Sequence, residues 1–307
     1  MPRIVTLTLN PAVDKNCEVQ QVVAERKLRC EEPEYHPGGG GLNVARAIAE
    51  LGGDVAACWT CGGRIGQLLR HLLDGEGVNH IPIDIEAHTR ENLIVHERSS
   101  DLQYRFGMPG ATMRPDEMQA CIDVLRAIAP PPEYLMLSGS LPPGVDEALC
   151  AQVAQAMPSS CRVVLDTSKP PLQRGLDAPV YLVKPNVREL GQLAGREVED
   201  DSQIRNVARS LIEQAKVEVV VTSLGSGGAV LTAAEEHRHV REPTVSIRNK
   251  VGAGDSMVAG LVLALSQGRH LIDALRFGVA AGSAAVMTGG TELCRREDAE
   301  RIFREME

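Results

Sequence analysis

Short, largely apolar runs recur along this chain at Ile4–Leu9, Val55–Thr60, Tyr134–Ser138, Arg162–Asp166, Val180–Lys184 and Val217–Ser223. Segments of helical length and period separate them, among them Leu42–Leu51, Ile65–Leu73, Pro115–Ile128, Asp146–Ala156, Asp255–Ser266 and Leu271–Met287. A strand apolar on both faces must be covered on both, and strands joined through helices run parallel. The pattern predicts an α/β fold: a doubly wound, mostly parallel sheet flanked by helices, with right-handed crossovers. Aromatics are 3% of the residues against 43% hydrophobic overall, so Val, Leu, Ile and Ala must build the core. The whole span 1–307 reads as one domain. Two stretches, approximately 14–34 and 88–107, break the alternation. The first has no helical period. The second holds two alternating runs, Asn92–Glu97 and Leu102–Phe106, around Ser99-Ser100-Asp101, which is a hairpin signal. Together they predict a small antiparallel β lid beside the main sheet.

Ligands of such sheets lie beyond the carboxyl ends of the strands. Ser138, Asp166, Lys184 and Ser223 all fall there. Two glycine clusters each precede a helix. Gly252-Ala253-Gly254-Asp255 runs into the apolar helix that ends at Gly268. Unpaired N–H groups at a helix start attract an anion. With one carboxylate beside them, they suit phosphoryl transfer to a hydroxyl: Gly252, Ala253 and Gly254 hold charge on the moving group, and Asp255 takes the proton. The competing expectation is a plain glycine turn with Asp255 as the helix N-cap. The second cluster, Gly38-Gly39-Gly40-Gly41, precedes a helix with Asn43 in its first turn. Four consecutive glycines cost much backbone entropy, which a close approach to a ligand would justify. No Gly-Lys-Ser/Thr follows, and the Gly-x-Gly-x-x-Gly dinucleotide spacing is missing.

Asp14, after Asn10-Pro11-Ala12, can accept hydrogen bonds from a ligand's hydroxyls or stabilise a turn. Asn186 and Glu189, at i and i+3 of a helix start, can hold Mg²⁺ through oxygens or form a capping pair. A net charge of −9 argues against a nucleic-acid or acidic-membrane binder. No run reaches membrane-spanning length and no secretory signal opens the chain, so a cytoplasmic protein is expected. The eight cysteines show no disulfide or zinc spacing, and Cys58-x-x-Cys61 reads as buried thiols. His237 and His239 read as exposed polar residues.

The two glycine clusters resemble the two signatures of the PfkB (ribokinase) family of sugar kinases. The likeness extends through Thr8-Leu9-Asn10-Pro11-Ala12-Val13-Asp14, Ser138-Gly139-Ser140-Leu141-Pro142-Pro143-Gly144, Lys184-Pro185-Asn186-Val187-Arg188-Glu189 and Ser223-Leu224-Gly225-Ser226-Gly227-Gly228. The resemblance implies a ribokinase-like fold, an ATP- and Mg²⁺-dependent kinase with Asp255 as base, and a homodimer formed through the lid. It implies sugar contacts from Asp14, Gly38 to Gly41, Asn43 and Ser138, and substrate-phosphate contacts from Lys27, Arg29, Arg90 and Arg105. Lys184 and Asn186 would serve the nucleotide, Ser223, Leu224, Gly225, Ser226, Gly227 and Gly228 its base and ribose, and Asn186 with Glu189 the metal. Potassium is often bound near the Gly-Ala-Gly-Asp loop in this family. Here Lys250 brings a positive charge close to that place, where relatives commonly carry Thr.

Within the family, Asn10-Pro11-Ala12-Val13-Asp14, Gly38 to Arg46 and the segments around Lys27, Arg90 and Arg105 look closest to the ATP-dependent 6-phosphofructokinases. The expected reaction is phosphorylation of fructose 6-phosphate to fructose 1,6-bisphosphate. The alternatives are a 1-phosphofructokinase or a tagatose-6-phosphate kinase and, more remotely, a non-catalytic sugar-phosphate sensor.

Overall fold

The computed structural model describes residues 3–214 and 217–306; residues 1, 2, 215, 216 and 307 of the span expected as one domain lie outside it. The elements run β1 (Ile4–Thr8), β2 (Ala12–Val19), β3 (Glu34–Gly38), α1 (Gly40–Glu50), β4 (Val55–Cys61), α2 (Gly63–Gly75), β5 (His80–Asp84), β6 (Arg90–Glu97), β7 (Leu102–Phe106), α3 (Pro115–Ala127), β8 (Tyr134–Ser138) and α4 (Leu149–Ala156). Then follow β9 (Arg162–Asp166), α5 (Lys169–Gly175), β10 (Val180–Val183), α6 (Val187–Ala194), α7 (Asp201–Glu213), β11 (Val217–Ser223), β12 (Ala229–Thr232), β13 (His237–Val240), α8 (Ala253–Ser266), α9 (Leu271–Val286) and α10 (Arg296–Glu305).

Nine strands form one sheet in the order β13-β12-β11-β10-β9-β8-β1-β4-β5. The pairings from β5 to β11 are parallel, and β12 and β13 add antiparallel to that edge. Strand alternation splits the apolar residues between two cores. Tyr134 and Met136 face a cluster with residues of α1, α8 and α9, and Leu135 and Leu137 face another with residues of α3, α4 and α7. This is the three-layered, doubly wound architecture expected. Among the described residues no helix is long and apolar enough to cross a membrane.

Helices α8 and α9 lie very close together. A Cβ on Gly260 would come within 2.8 Å of the Ala281 Cβ, and one on Gly278 within 2.8 Å of the Met257 carbonyl oxygen. That contact, deep in the core, anchors the start of α8 at the carboxyl edge of the sheet.

The small sheet has the order β3-β2-β6-β7. Its outer pairings are antiparallel, but its central pair β2–β6 is parallel, with Asp14 beside Asn92. Both strands leave the main body in the same direction, which sets that pairing.

The sequence pattern did not disclose β5, β12, β13 or α5. Pro82 sits inside β5, which tolerates it as an edge strand. The hairpin of β12 and β13 also corrects the reading of His237. Its ring is enclosed, with Nδ1 at 2.9 Å from Thr232 Oγ1 and Nε2 at 3.1 Å from Asp201 Oδ2. Cys58 and Cys61 are buried thiols in β4.

Candidate active site

The glycine run ends β3 and opens α1. Gly39 is the N-cap at φ 115°, a conformation that favours glycine. A Cβ on Gly38 would lie 2.5 Å from Asp14 Oδ2, and one on Gly40 would lie 2.7 Å from Ser138 Oγ. Gly41 is pressed against Thr8. Protein neighbours therefore account for much of the glycine demand that the sequence suggested a ligand would make. The run brings Asp14, Ser138 and the first turn of α1 to one place.

Opposite it, Gly252 caps α8 in the left-handed conformation at φ 73°, where a Cβ would also strike Leu293. Asp255 is the third residue of the helix and makes no capping bond. The N-cap alternative is thus not adopted, and the first N–H groups of α8 stay available to an anion. The Asp255 carboxylate instead accepts a 2.8 Å hydrogen bond from Asn43 Nδ2. Burial and the nearby Asp166 carboxylate push its pKa up to about 6, against the pull of Asn43, Lys184 and Arg46. Such a group is a carboxylate at neutral pH and basic enough to take a proton.

Lys184 follows β10, and its side chain is 8% exposed. Its ammonium lies 3.0 Å from Asp166 Oδ1 and 3.7 Å from where a Gly254 Cβ would sit. Burial opposes the charge, but Asp166, with Asp255 and Glu189 beyond, holds the pKa above its ordinary value. A fixed cation thus stands at the mouth of the α8 cradle.

On the small sheet, Asn92 Nδ2 donates to Asp14 Oδ1 at 2.7 Å, and Asn92 Oδ1 accepts from Met108 N at 3.1 Å. Arg90 donates to the Asn10 carbonyl at 3.1 Å and the Met108 carbonyl at 3.0 Å. Its Nε is a buried donor without a partner among the described residues, as Ser138 Oγ and Asn10 Oδ1 are acceptors without one. Strand register puts Arg105, opposite Ile94, on the same face as Asn92 and Asp14. Arg105 is exposed and donates to Gln103. Lys27 and Arg29 lie exposed in the segment between β2 and β3.

Asn186 and Glu189 form a reciprocal capping box on α6, with both bonds at 2.9 Å. Asn186 Oδ1 and Glu189 Oε2 are therefore engaged in the fold. Among the described residues no cluster of three His, Cys, Asp or Glu side chains is placed to hold a metal ion. Asn186 forms a bridge to Ser223 at the end of β11. Leu224 to Gly227 make a tight turn there, with Gly225 and Ser226 exposed. Gly228 is buried beneath the Val240 carbonyl.

The profile of the pfkB family carbohydrate kinases matches residues 7–298, nearly the whole chain and both glycine clusters. This chain belongs to the pfkB family. It is 43% identical over 304 residues to ATP-dependent 6-phosphofructokinase isozyme 2 of Mycobacterium tuberculosis, covering 98% of this chain and 89% of the relative. It is 32% identical over 309 residues to the 1-phosphofructokinase of Vibrio cholerae, covering 99% and 96%. Phosphofructokinase-2 from Escherichia coli, solved in complex with potassium, with fructose-6-phosphate and as a tetrameric inhibited form, is 40% identical. Each of the three covers 100% of this chain and 99% of that one, with TM-scores of 0.96, 0.93 and 0.94.

Sequence reasoning singled out neither Asn92 nor Arg46 and gave Asp166 no role, though the structure bonds these side chains to Asp14, Asn43 and Lys184. Asn92 had a signal in the alternation of β6, two residues from Arg90. Arg46 stands three residues after Asn43, which on a helix means the same side.

Proposed function

We propose that this pfkB-family kinase transfers the γ-phosphoryl group of ATP to the 1-hydroxyl of fructose 6-phosphate. The observation that carries this reading is the Asp255 carboxylate. It is unbonded to its own helix cap, raised in pKa, and set between the free N–H groups of α8 and the Asn43 amide.

Asp14, held by Asn92, accepts hydrogen bonds from sugar hydroxyls beside Gly38 to Gly41, Asn43 and Ser138. Arg90 and Arg105 share the Asp14 face and meet the 6-phosphate, with Lys27 and Arg29 adding positive charge from the lid loop. Asp255 takes the proton of the 1-hydroxyl as that oxygen bonds to the γ-phosphorus. The bond from that phosphorus to the bridging oxygen breaks, and ADP leaves. The Gly252–Gly254 amides and Lys184 stabilise charge on the transferring group. Lys184 and Asn186 also contact the nucleotide phosphates, and the turn from Ser223 to Gly228 receives the nucleoside.

The residues present fit Mg²⁺ held mainly by waters and nucleotide phosphates: Glu189 spends one oxygen on its cap, leaving Oε1 for a water. Bound there, the ion neutralises phosphate charge. Potassium also fits. Thr291 Oγ1 is a buried oxygen without a partner among the described residues, and the Lys250 side chain is exposed. Replacing potassium by sodium or tetramethylammonium should lower the rate; an unchanged rate removes that ion from the scheme.

A coupled ADP-release assay over fructose 6-phosphate, fructose 1-phosphate and tagatose 6-phosphate tests the substrate. Turnover confined to fructose 1-phosphate would favour the second reading, 1-phosphofructokinase, which the Vibrio relative keeps open. Tagatose 6-phosphate kinase is decided by the same assay. No turnover with any sugar phosphate would leave a sensor.

A further inference from the structure

We infer that Arg46 is a positioning residue that fixes which end of the Asn43 amide faces Asp255; this rests on the proposed role of Asp255 as the proton acceptor. Arg46 lies one turn after Asn43 on α1, and its side chain is 9% exposed. Nε and Nη2 reach the two carboxylate oxygens of Glu76, at the end of α2, at 2.6 and 2.8 Å. Nη1 donates to the Pro37 carbonyl at 3.1 Å and to Asn43 Oδ1 at 3.4 Å. One planar group therefore ties together the entry to the glycine run, the Asn43 amide and a second helix.

The chemistry leaves one orientation. An asparagine amide rotates between two broad, similar states, one presenting NH₂ and the other oxygen. A guanidinium has donors and no acceptor, so only Oδ1 can face Arg46. The NH₂ then points at Asp255, as the 2.8 Å bond shows. With the amide reversed, an oxygen would face a carboxylate. The charged groups bearing on Asp255 are Asp166 from β9, Lys184 after β10, and Arg46 itself from α1. Arg46 thus acts both through its charge and through Asn43, and the two effects can be separated.

Arg46→Lys keeps the charge but cannot satisfy Glu76, Pro37 and Asn43 together. Positioning predicts that kcat falls roughly tenfold or more, while KM for ATP and for the sugar phosphate moves less than about threefold. The acid limb of kcat/KM should move to higher pH, because Asp255 loses a bond that favours its charged form. Asn43→Ala should reproduce the kcat loss and the acid-limb shift, with a rise in sugar-phosphate KM from its own place beside the sugar, and the double variant should be no worse than Asn43→Ala alone. Glu76→Gln, which weakens only the far side of the network, should lower the melting temperature as Arg46→Lys does yet keep kcat. Wild-type kcat and acid limb in Arg46→Lys would overturn the inference, as would multiplying losses in the double variant or an equal kcat loss in Glu76→Gln. Asp255→Asn serves as the control. If it turns over normally, the proposed function itself fails. If it is inactive while Arg46→Lys behaves as wild type, only the role of Arg46 fails.

Discussion

Asn43 and Asp255, 212 positions apart, meet through a 2.8 Å hydrogen bond between the first turns of α1 and α8. Each follows a glycine cap with φ above 70°. The two family signatures thus form one unit, joining the sugar-side loop to the phosphoryl-side cradle.

Asp255→Asn should trade activity for stability. Without a proton acceptor, kcat should drop by about two to four orders of magnitude while sugar phosphate still binds, as calorimetry would show. The folded-state pKa of about 6 lies above the ordinary 3.8. The group therefore contributes stability while protonated, and that contribution is lost as pH rises through about 6. At pH 7.5 the buried charge is a cost, so the amide should stabilise the fold by about 1–3 kcal/mol. Thermal melts at pH 5 and 7.5 check this: the gain should appear at the higher pH and shrink at the lower.

Wild-type kcat/KM should in turn rise with pH between roughly 5 and 7 as Asp255 ionises. A flat profile across that window would show that another group accepts the proton.

Lys184 and Asp166 form an ion pair enclosed on both sides, 8% and 14% exposed. Removing one partner strands the other, at a cost of about 3–5 kcal/mol. Lys184→Met should therefore lower both stability and kcat. Adding Asp166→Asn should restore much of the melting temperature without restoring kcat, since the cation beside the α8 cradle is still missing. Recovery of both together would mean the pair is only structural.

Arg90 offers its fork from β6 while two of its nitrogens hold the Asn10 and Met108 carbonyls. Arg90→Lys should raise KM for fructose 6-phosphate roughly 10- to 100-fold, the worth of charge-assisted bonds to phosphate, with a smaller change in kcat. Initial-rate kinetics with unphosphorylated fructose supply the comparison, because its KM should be nearly unmoved.

The main sheet was legible because its strands are apolar on both faces and end in chemically marked residues. Tyr134–Ser138, Arg162–Asp166 and Val217–Ser223 carry the same bounds in sequence and structure. The edge strands were not legible. β5 contains a proline, and β12 and β13 are four residues each, too short to show a period. In the site, Asp255 and Asn43 announced themselves through glycines, which mark backbone demands. Arg46 and Asn92 did not, because their roles depend on partners far away in the chain, Glu76 and Asp14. The glycine run itself suggested a ligand where Thr8, Asp14 and Ser138 supply much of the crowding.

The small sheet has two unlike faces. Asp14, Asn92 and Arg105 share one; Leu93, Val95, Leu102, Tyr104 and Phe106 share the other. On that apolar face Leu102 is 55% exposed and Phe106 49%. Leu93, Val95 and Tyr104 already pack there with Cys17, Val19 and Val22, so the uncovered part is the β7 edge; covering that edge with a second copy would both hide Leu102 and Phe106 and hold the sugar-side face in place. Phe106→Glu should convert a dimer, or a larger assembly, to monomers in analytical ultracentrifugation. It should also raise KM for the sugar phosphate, because Asp14 and Arg90 lie on the sheet that loses its support. If the wild-type chain sediments as a monomer at assay concentrations with full activity, the lid does not need a partner and the homodimer falls.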